Sequence, residues 1–314
     1  MAANGAAKCK QLTSANIEQF LDSIDSVLID CDGVLWNANN PIEGAIETIQ
    51  TLRERGKQPI FVTNNSTKSR RQYVEKFQRL GFSVSEEEIF GTAYVAALYF
   101  KHKLKFEGKV YLIGGSGLAE EFALQEIPFI GPGCDHVVEG EDVHDWSNIE
   151  LDSEVRGVLV GFDPLITFRK VCRAASYLSN PSFPYIATNL DGRLPMPNKG
   201  RVIPGTGCLV EAVTKAAARQ PTVVGKPNKL MFECVKEKFP TVDPERTVMV
   251  GDRLDTDILL GKNCNLKTLM VLTGISSLED VERNQQSSSE SMQTLVPDFY
   301  IPSFGQLHKL INKQ

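Results

Sequence analysis

The sequence predicts an α/β protein built on a doubly wound parallel sheet, and three observations predict it. Short apolar or β-branched runs alternate with helical stretches along most of the chain, the pattern of βαβ units. Four of those runs end in polar residues that are rich in chemistry. Val27-Leu28-Ile29 leads into Asp30-Cys31-Asp32-Gly33-Val34, and Pro59-Ile60-Phe61-Val62 leads into Thr63-Asn64-Asn65-Ser66. Thr222-Val223-Val224 leads into Gly225-Lys226-Pro227, and Thr247-Val248-Met249-Val250 into Gly251-Asp252-Arg253-Leu254-Asp255-Thr256-Asp257. Finally, the alternation restarts in mid-chain over a stretch long enough to be a domain of its own. In an open α/β sheet the carboxyl ends of the strands line one crevice, so the four polar ends can converge on a single site.

Taken in order, the elements follow from periodicity and punctuation. After the Val27 strand, residues 42–56 read as an amphipathic helix with Ile46, Ile49 and Leu52 inward and Gly56 closing it. The Pro59–Val62 strand precedes a second helix over residues 68–80, closed by Gly81. Lys109–Ile113 is the next strand, and Gly114-Gly115-Ser116-Gly117 opens a helix. Val155–Phe162 reads as a strand, Ile166–Leu178 as a helix, Tyr185–Thr188 as a strand and Gly207–Ala218 as a helix. The Val223 strand then resumes the first pattern. The chain thus divides into residues 1–104, an inserted α/β block 105–219, and residues 220–314. Gln285–Ser291, rich in Ser and Gln, is expected to be a mobile surface loop.

Composition excludes several classes. A chain of 314 residues can bury a large core. Its net charge of −5 offers no basic field for nucleic acid. No apolar stretch approaches the ~18 residues that a membrane-spanning helix needs, and the N-terminus lacks a long apolar run, so a cytoplasmic protein is expected. Seven scattered cysteines contain no Cys-x-x-Cys pair, which argues against a zinc site or a disulfide framework. None has Arg six positions on, so a cysteine-dependent phosphatase loop is absent. Cys31 is expected to point into the core, its thiolate disfavoured by the flanking carboxylates. Two nucleotide signatures fail as well. Gly115-Ser116-Gly117 is followed by Glu120 where a dinucleotide loop needs Gly, and Gly225-Lys226 lacks the upstream Gly and the following Ser or Thr of a P-loop.

Asp30 and Asp32 lie two positions apart at a strand end, so they face the same way if the strand stays extended. Two like charges that close repel unless a cation or a shared proton intervenes. The pair is therefore a metal site, an acid/base pair or a polar turn, the last being common wherever Asp and Gly end a strand.

The four motifs, in this order from Asp30 to Asp257, resemble the haloacid dehalogenase (HAD) phosphohydrolase superfamily. DCDGVLW, FVTNNS, VGKP and VMVGDRLDTDILLG are similar to the branch that holds phosphoglycolate phosphatase and pyridoxal phosphate phosphatase. The resemblance implies a Rossmann-like core interrupted by a larger α/β cap. It implies Asp30 as the nucleophile that forms an aspartyl-phosphate, and Asp32 as the general acid and base. It places Mg²⁺ on a carboxylate oxygen of Asp30, the backbone carbonyl of Asp32, and Asp252. Asp257 then orients a metal-bound water or Lys226, with a plain helix N-terminal carboxylate as the alternative. Thr63 offers a hydroxyl and Asn64 a backbone N–H to phosphoryl oxygens, while Lys226, set before Pro227, offers a fixed positive charge. Asn65 and Arg253 steady the loop or touch substrate, and Asp255 has the character of a helix N-cap.

For the substrate, Thr188-Asn189-Leu190-Asp191-Gly192-Arg193-Leu194-Pro195 resembles the family's substrate-specificity loop. The pyridoxal phosphate phosphatases carry His where this chain has Leu194. The expected substrate is therefore a small phosphorylated metabolite, 2-phosphoglycolate or glycerol 3-phosphate. Pyridoxal 5′-phosphate, a phosphotyrosine protein, phosphoryl transfer to a sugar as in a mutase, or an inactive binding protein are the alternatives. No nucleic acid or membrane partner is expected. By the resemblance, a homodimer through the cap is.

Overall fold

The computed structural model describes residues 9–133, 143–194 and 201–312. The chain forms two compact units. One gathers the described residues up to Thr63, Glu75–Phe90 and those from Lys226 onward; the other gathers Asn64–Val74 and Gly91–Gly225. The second unit therefore starts earlier and ends later along the chain than residues 105–219.

The first unit is organised by a seven-stranded sheet. Its order is Lys10–Gln11, Phe299–Ile301, Lys267–Val271, Thr247–Gly251, Ser26–Ile29, Gln58–Thr63 and Ile89–Gly91. From the Lys10 edge to Gln58–Thr63 every neighbouring pair is parallel. A parallel strand covered on both faces must be apolar throughout rather than alternating. Val27–Ile29 and Val248–Val250 meet that demand, within strands that are buried along their whole length. Val250 lies beside Ile29, and Ile29 beside Phe61, so three strands end within two residues of one another. On one side Phe61, Phe77, Trp36 and Phe82 form an aromatic cluster, with ring centroids 4.8 to 5.9 Å apart. Such contacts are worth about 0.5–1.5 kcal/mol each beyond area burial.

The helix expected over residues 42–56 spans Ala45–Glu54. Ile49 and Leu52 are buried and Ile46 is half-buried. The N–H groups of Gly56 and Lys57 donate to the carbonyls of Arg53 and Leu52, the hydrogen bonds of a Schellman closure. The second helix runs Arg70–Arg79.

The second unit carries a five-stranded parallel sheet, ordered Thr222–Val223, Tyr185–Ala187, Val155–Val160, Lys109–Ile113 and Phe129–Ile130. Thr222–Val223 is thus an edge strand of this sheet, not the expected continuation of the first. Its two residues, one exposed and one half-buried, carry no pattern that could choose between two parallel sheets. Val155–Val160 stops two residues short of expectation, and the following helix starts at Phe168 because Thr167 caps it, accepting from the Lys170 N–H. Gln285–Ser291 is not an irregular loop. Gln285 and Gln286 end the helix Leu278–Gln286, and Glu290 begins the short helix Glu290–Thr294. The serines between them are tied locally, the Ser289 N–H donating to the Ser287 hydroxyl.

Candidate active site

The neighbouring ends of the central strands of the first unit place the acidic residues. Asp30 follows Ser26–Ile29, its N–H bonded to the Val250 carbonyl, and Asp252 follows Thr247–Gly251. The next turn, Leu254–Ile258, supplies Asp257. Carboxylate oxygens of Asp30, Asp252 and Asp257 lie within 4.8 Å of one another, and all three residues are buried. Lys226 enters the same cluster. Its Nζ stands 2.5 Å from Asp30 Oδ1 and 2.7 Å from Asp257 Oδ1, and donates to the Val62 carbonyl at 3.3 Å.

Close approach of backbone makes this possible. Asp252 Oδ2 accepts from the Ile275 N–H at 2.8 Å. A Cβ on Gly274 would stand 1.8 Å from that same oxygen. Gly33, at φ +87°, turns the chain out of the first strand, and a Cβ there would come 2.7 Å from Asp252 Cγ. Asp257 Oδ2 accepts from the Arg253 N–H at 3.1 Å. Asp255 is no helix N-cap: it lies inside the turn and binds the Arg253 guanidinium at 2.7 and 3.0 Å.

Three buried carboxylates and one ammonium leave negative charge uncompensated. Burial, with Asp257 and Asp252 nearby, pushes the Asp30 carboxyl well up despite Lys226. Burial and then Asp257 raise Asp252 to about 7. For Lys226 burial acts downward, but Asp257 and Asp30 outweigh it and the ammonium is held charged. A cluster of oxygen donors only, short of positive charge, fits a hard divalent cation such as Mg²⁺.

Asp32 is not in that cluster. The strand ends at Ile29 and the chain bends, the Leu35 N–H closing on the Cys31 carbonyl, so the two aspartates part company. Asp32 Oδ1 instead accepts from Trp36 Nε1 at 2.8 Å, and Lys76 Nζ lies 3.6 Å from it. Nothing in the spacing of the sequence announces Lys76. It reaches this position only because the helix Arg70–Arg79 packs Phe77 on Trp36. Cys31 is fully buried as expected, though burial raises its thiol first and the carboxylates second.

Thr63 is buried at the end of Gln58–Thr63. Asn64, Asn65 and Leu194 fall in the second unit. There the Asn64 carbonyl accepts from Thr92 Oγ1 at 2.8 Å and Asn189 Nδ2 at 2.7 Å, and its side-chain amide reaches Asp191 at 3.3 Å. Asn65 Oδ1 accepts from the N–H and hydroxyl of Thr67, an Asx turn that steadies the loop. Leu194 is half-buried, its N–H bonded to the Ile203 carbonyl; Pro195 lies outside the described residues.

Comparison with known proteins identifies the family. Residues 27–127 match the profile of the Haloacid dehalogenase-like hydrolase family, and residues 223–304 match a second HAD-hydrolase-like profile. The chain is 47% identical to glycerol-3-phosphate phosphatase of Mus musculus over 308 residues, covering 96% of this chain and 95% of that one. It is 41% identical to phosphoglycolate phosphatase 2 of Arabidopsis thaliana over 306 residues, with 96% and 97% covered. Among solved structures, the p-nitrophenyl phosphatase from Archaeoglobus fulgidus superposes with a TM-score of 0.75 at 30% identity, covering 91% of this chain and 99% of that one. With strand-end carboxylates gathered around a buried lysine and relatives matched over almost its full length, the chain belongs to the haloacid dehalogenase-like hydrolase family and is a phosphatase within it.

Proposed function

We propose that the protein is a Mg²⁺-dependent phosphomonoester hydrolase that works through an aspartyl-phosphate on Asp30. The observation that carries this reading is the buried cluster of Asp30, Asp252 and Asp257 around Lys226. Mg²⁺ held by Asp30, Asp252 and the Asp32 carbonyl would supply the positive charge that lets an anionic phosphate approach a carboxylate. Asp30 attacks phosphorus while the bond to the leaving oxygen breaks, and Asp32 gives that oxygen its proton. Asp32 then takes a proton from the water that attacks the phosphorylated Asp30, releasing inorganic phosphate and restoring both carboxyls. Lys226, fixed by Asp257, neutralises the phosphoryl oxygens as charge moves onto them, with the Thr63 hydroxyl and Asn64 N–H as further donors.

The substrate is a small phosphomonoester, 2-phosphoglycolate or glycerol 3-phosphate. The names of the relatives support this choice, as does an apolar Leu194 in the loop that resembles the specificity loop. The test is phosphate release from these two compounds and pyridoxal 5′-phosphate, with Mg²⁺ and with excess EDTA. Turnover is expected to stop in chelator and to disappear in Asp30→Asn with its melting temperature kept. Appreciable turnover in that variant would remove Asp30 as nucleophile, and preference for pyridoxal 5′-phosphate would overturn the reading of Leu194.

A further inference from the structure

The Asp32 carboxyl is held by two side chains that the phosphatase reading leaves unused. Trp36 Nε1 donates to Asp32 Oδ1 at 2.8 Å, and the Lys76 ammonium lies 3.6 Å from the same oxygen. Lys76 also stands 4.1 Å above the centre of the Trp36 ring. Trp36 is fully buried and Lys76 is only 7% exposed, whereas the Asp32 side chain keeps 29% of its surface open. A lysine that far out of water needs an anion and a polarisable face to offset desolvation. Here it has both, in one contact.

The indole is itself tightly packed. Phe77 and Phe82 pack edge-on against it at 4.9 and 5.9 Å, and Phe77 packs in turn on Phe61 of the central sheet. Rigid packing is therefore relayed from the sheet to one oxygen of one carboxyl. A general acid has to hold its proton within about 2.6–3.2 Å of the leaving oxygen, and an exposed aspartate left to itself samples several rotamers.

We propose that Lys76 and Trp36 are positioning residues for proton transfer. They pin Oδ1 of Asp32 so that Oδ2 carries the proton to the leaving alkoxide and later takes one from water. The inference rests on the phosphatase reading and deepens it. Neither residue touches the phosphoryl group; each acts through Asp32.

The leaving group separates this role from mere support of the fold. An alkoxide needs a proton as it departs, while p-nitrophenolate departs without one. The wild type, Lys76→Met, Lys76→Arg and Trp36→Phe are compared by kcat/KM, which covers phosphoryl transfer to Asp30, on p-nitrophenyl phosphate and on whichever alkyl phosphate the wild type hydrolyses. Lys76→Met and Trp36→Phe are expected to lower the alkyl-to-aryl ratio of kcat/KM about tenfold, part of the 10²–10⁴ that general acid catalysis supplies. Lys76→Arg restores most of it. In an Asp32→Asn background Lys76→Met should change the ratio no further, since it has nothing left to position. Equal losses on both substrates, an unchanged ratio, or an undiminished effect of Lys76→Met in Asp32→Asn would each overturn the proposal. If Lys76→Met does not fold, Lys76→Gln is read by the same ratio. Failure of the phosphatase reading looks different, because the wild type would then release phosphate from neither substrate with Mg²⁺.

Discussion

Three buried carboxylates facing a single lysine leave Asp252 short of counter-charge, and its carboxyl rises from 3.8 to about 7. The sign of the consequence follows from linkage. An acid whose pKa is raised by folding binds its proton more tightly in the folded state. It supports the metal-free fold fully below 3.8, and that support is lost as pH climbs to about 7. A cation bound by Asp252 must displace the same proton, so its affinity grows over the same interval. The gain in melting temperature on adding Mg²⁺ is therefore expected to be small near about pH 5 and to level off above about pH 7.5. Calorimetric scans with and without MgCl₂ across that range give the answer, and an equal gain at both ends would remove Asp252 from the metal. At this scale much was legible. Asp30 and Asp252 each follow a buried run, Lys226 follows a short β-branched one, and all three carry chemistry that a turn does not need. The contacts of Lys76 and Trp36 with Asp32 were not legible, because they depend on a helix packing against a strand end and on no spacing within the chain.

The elements explain how those side chains come so close. Two turns, one after Ser26–Ile29 and one after Lys267–Val271, press glycines against Asp252. They are joined where the Thr273 hydroxyl donates to the Gly33 carbonyl at 2.5 Å. Gly274→Ala puts a methyl where Asp252 Oδ2 now lies, so the carboxyl or the turn must shift. Overpacking of this kind costs about 1–3 kcal/mol, and displacing a group that orients a metal ligand typically costs about 10–100-fold in metal affinity. The Mg²⁺ concentration for half-maximal phosphate release should therefore rise at least about tenfold in Gly274→Ala, with the melting temperature in EDTA lowered by only a few degrees. An unchanged Mg²⁺ requirement would show that the turn does not set the carboxyl. Helix bodies were legible from periodicity because it is a local property; Ala45–Glu54 and Arg70–Arg79 fall inside their expected ranges. Strand partners were not, and Thr222–Val223 joined the other sheet because pairing between parallel strands is decided by distant chain.

At the scale of the whole molecule, the parallel α/β character was visible in the alternation of runs, and Thr222–Val223, assigned to the second sheet, marks where a local reading stops. The division into units then bears on how a ligand stabilises the chain. Asp30, Asp252, Asp257 and Lys226 all belong to the first unit, so the binding free energy of the proposed cation would enter there. A ligand present at about 100 times its dissociation constant stabilises the state that binds it by about 2.7 kcal/mol. Amides that exchange only when the first unit opens should then slow about 100-fold with saturating Mg²⁺. The buried strands Ser26–Ile29 and Thr247–Gly251 are the segments to follow, with Val155–Val160 of the second sheet as the internal reference. Hydrogen exchange read by mass spectrometry with Mg²⁺ and with EDTA is expected to slow the first two strands and leave the third little changed. Equal slowing in all three would mean that the units open together and would overturn the expectation. No slowing anywhere would instead remove the metal from the cluster.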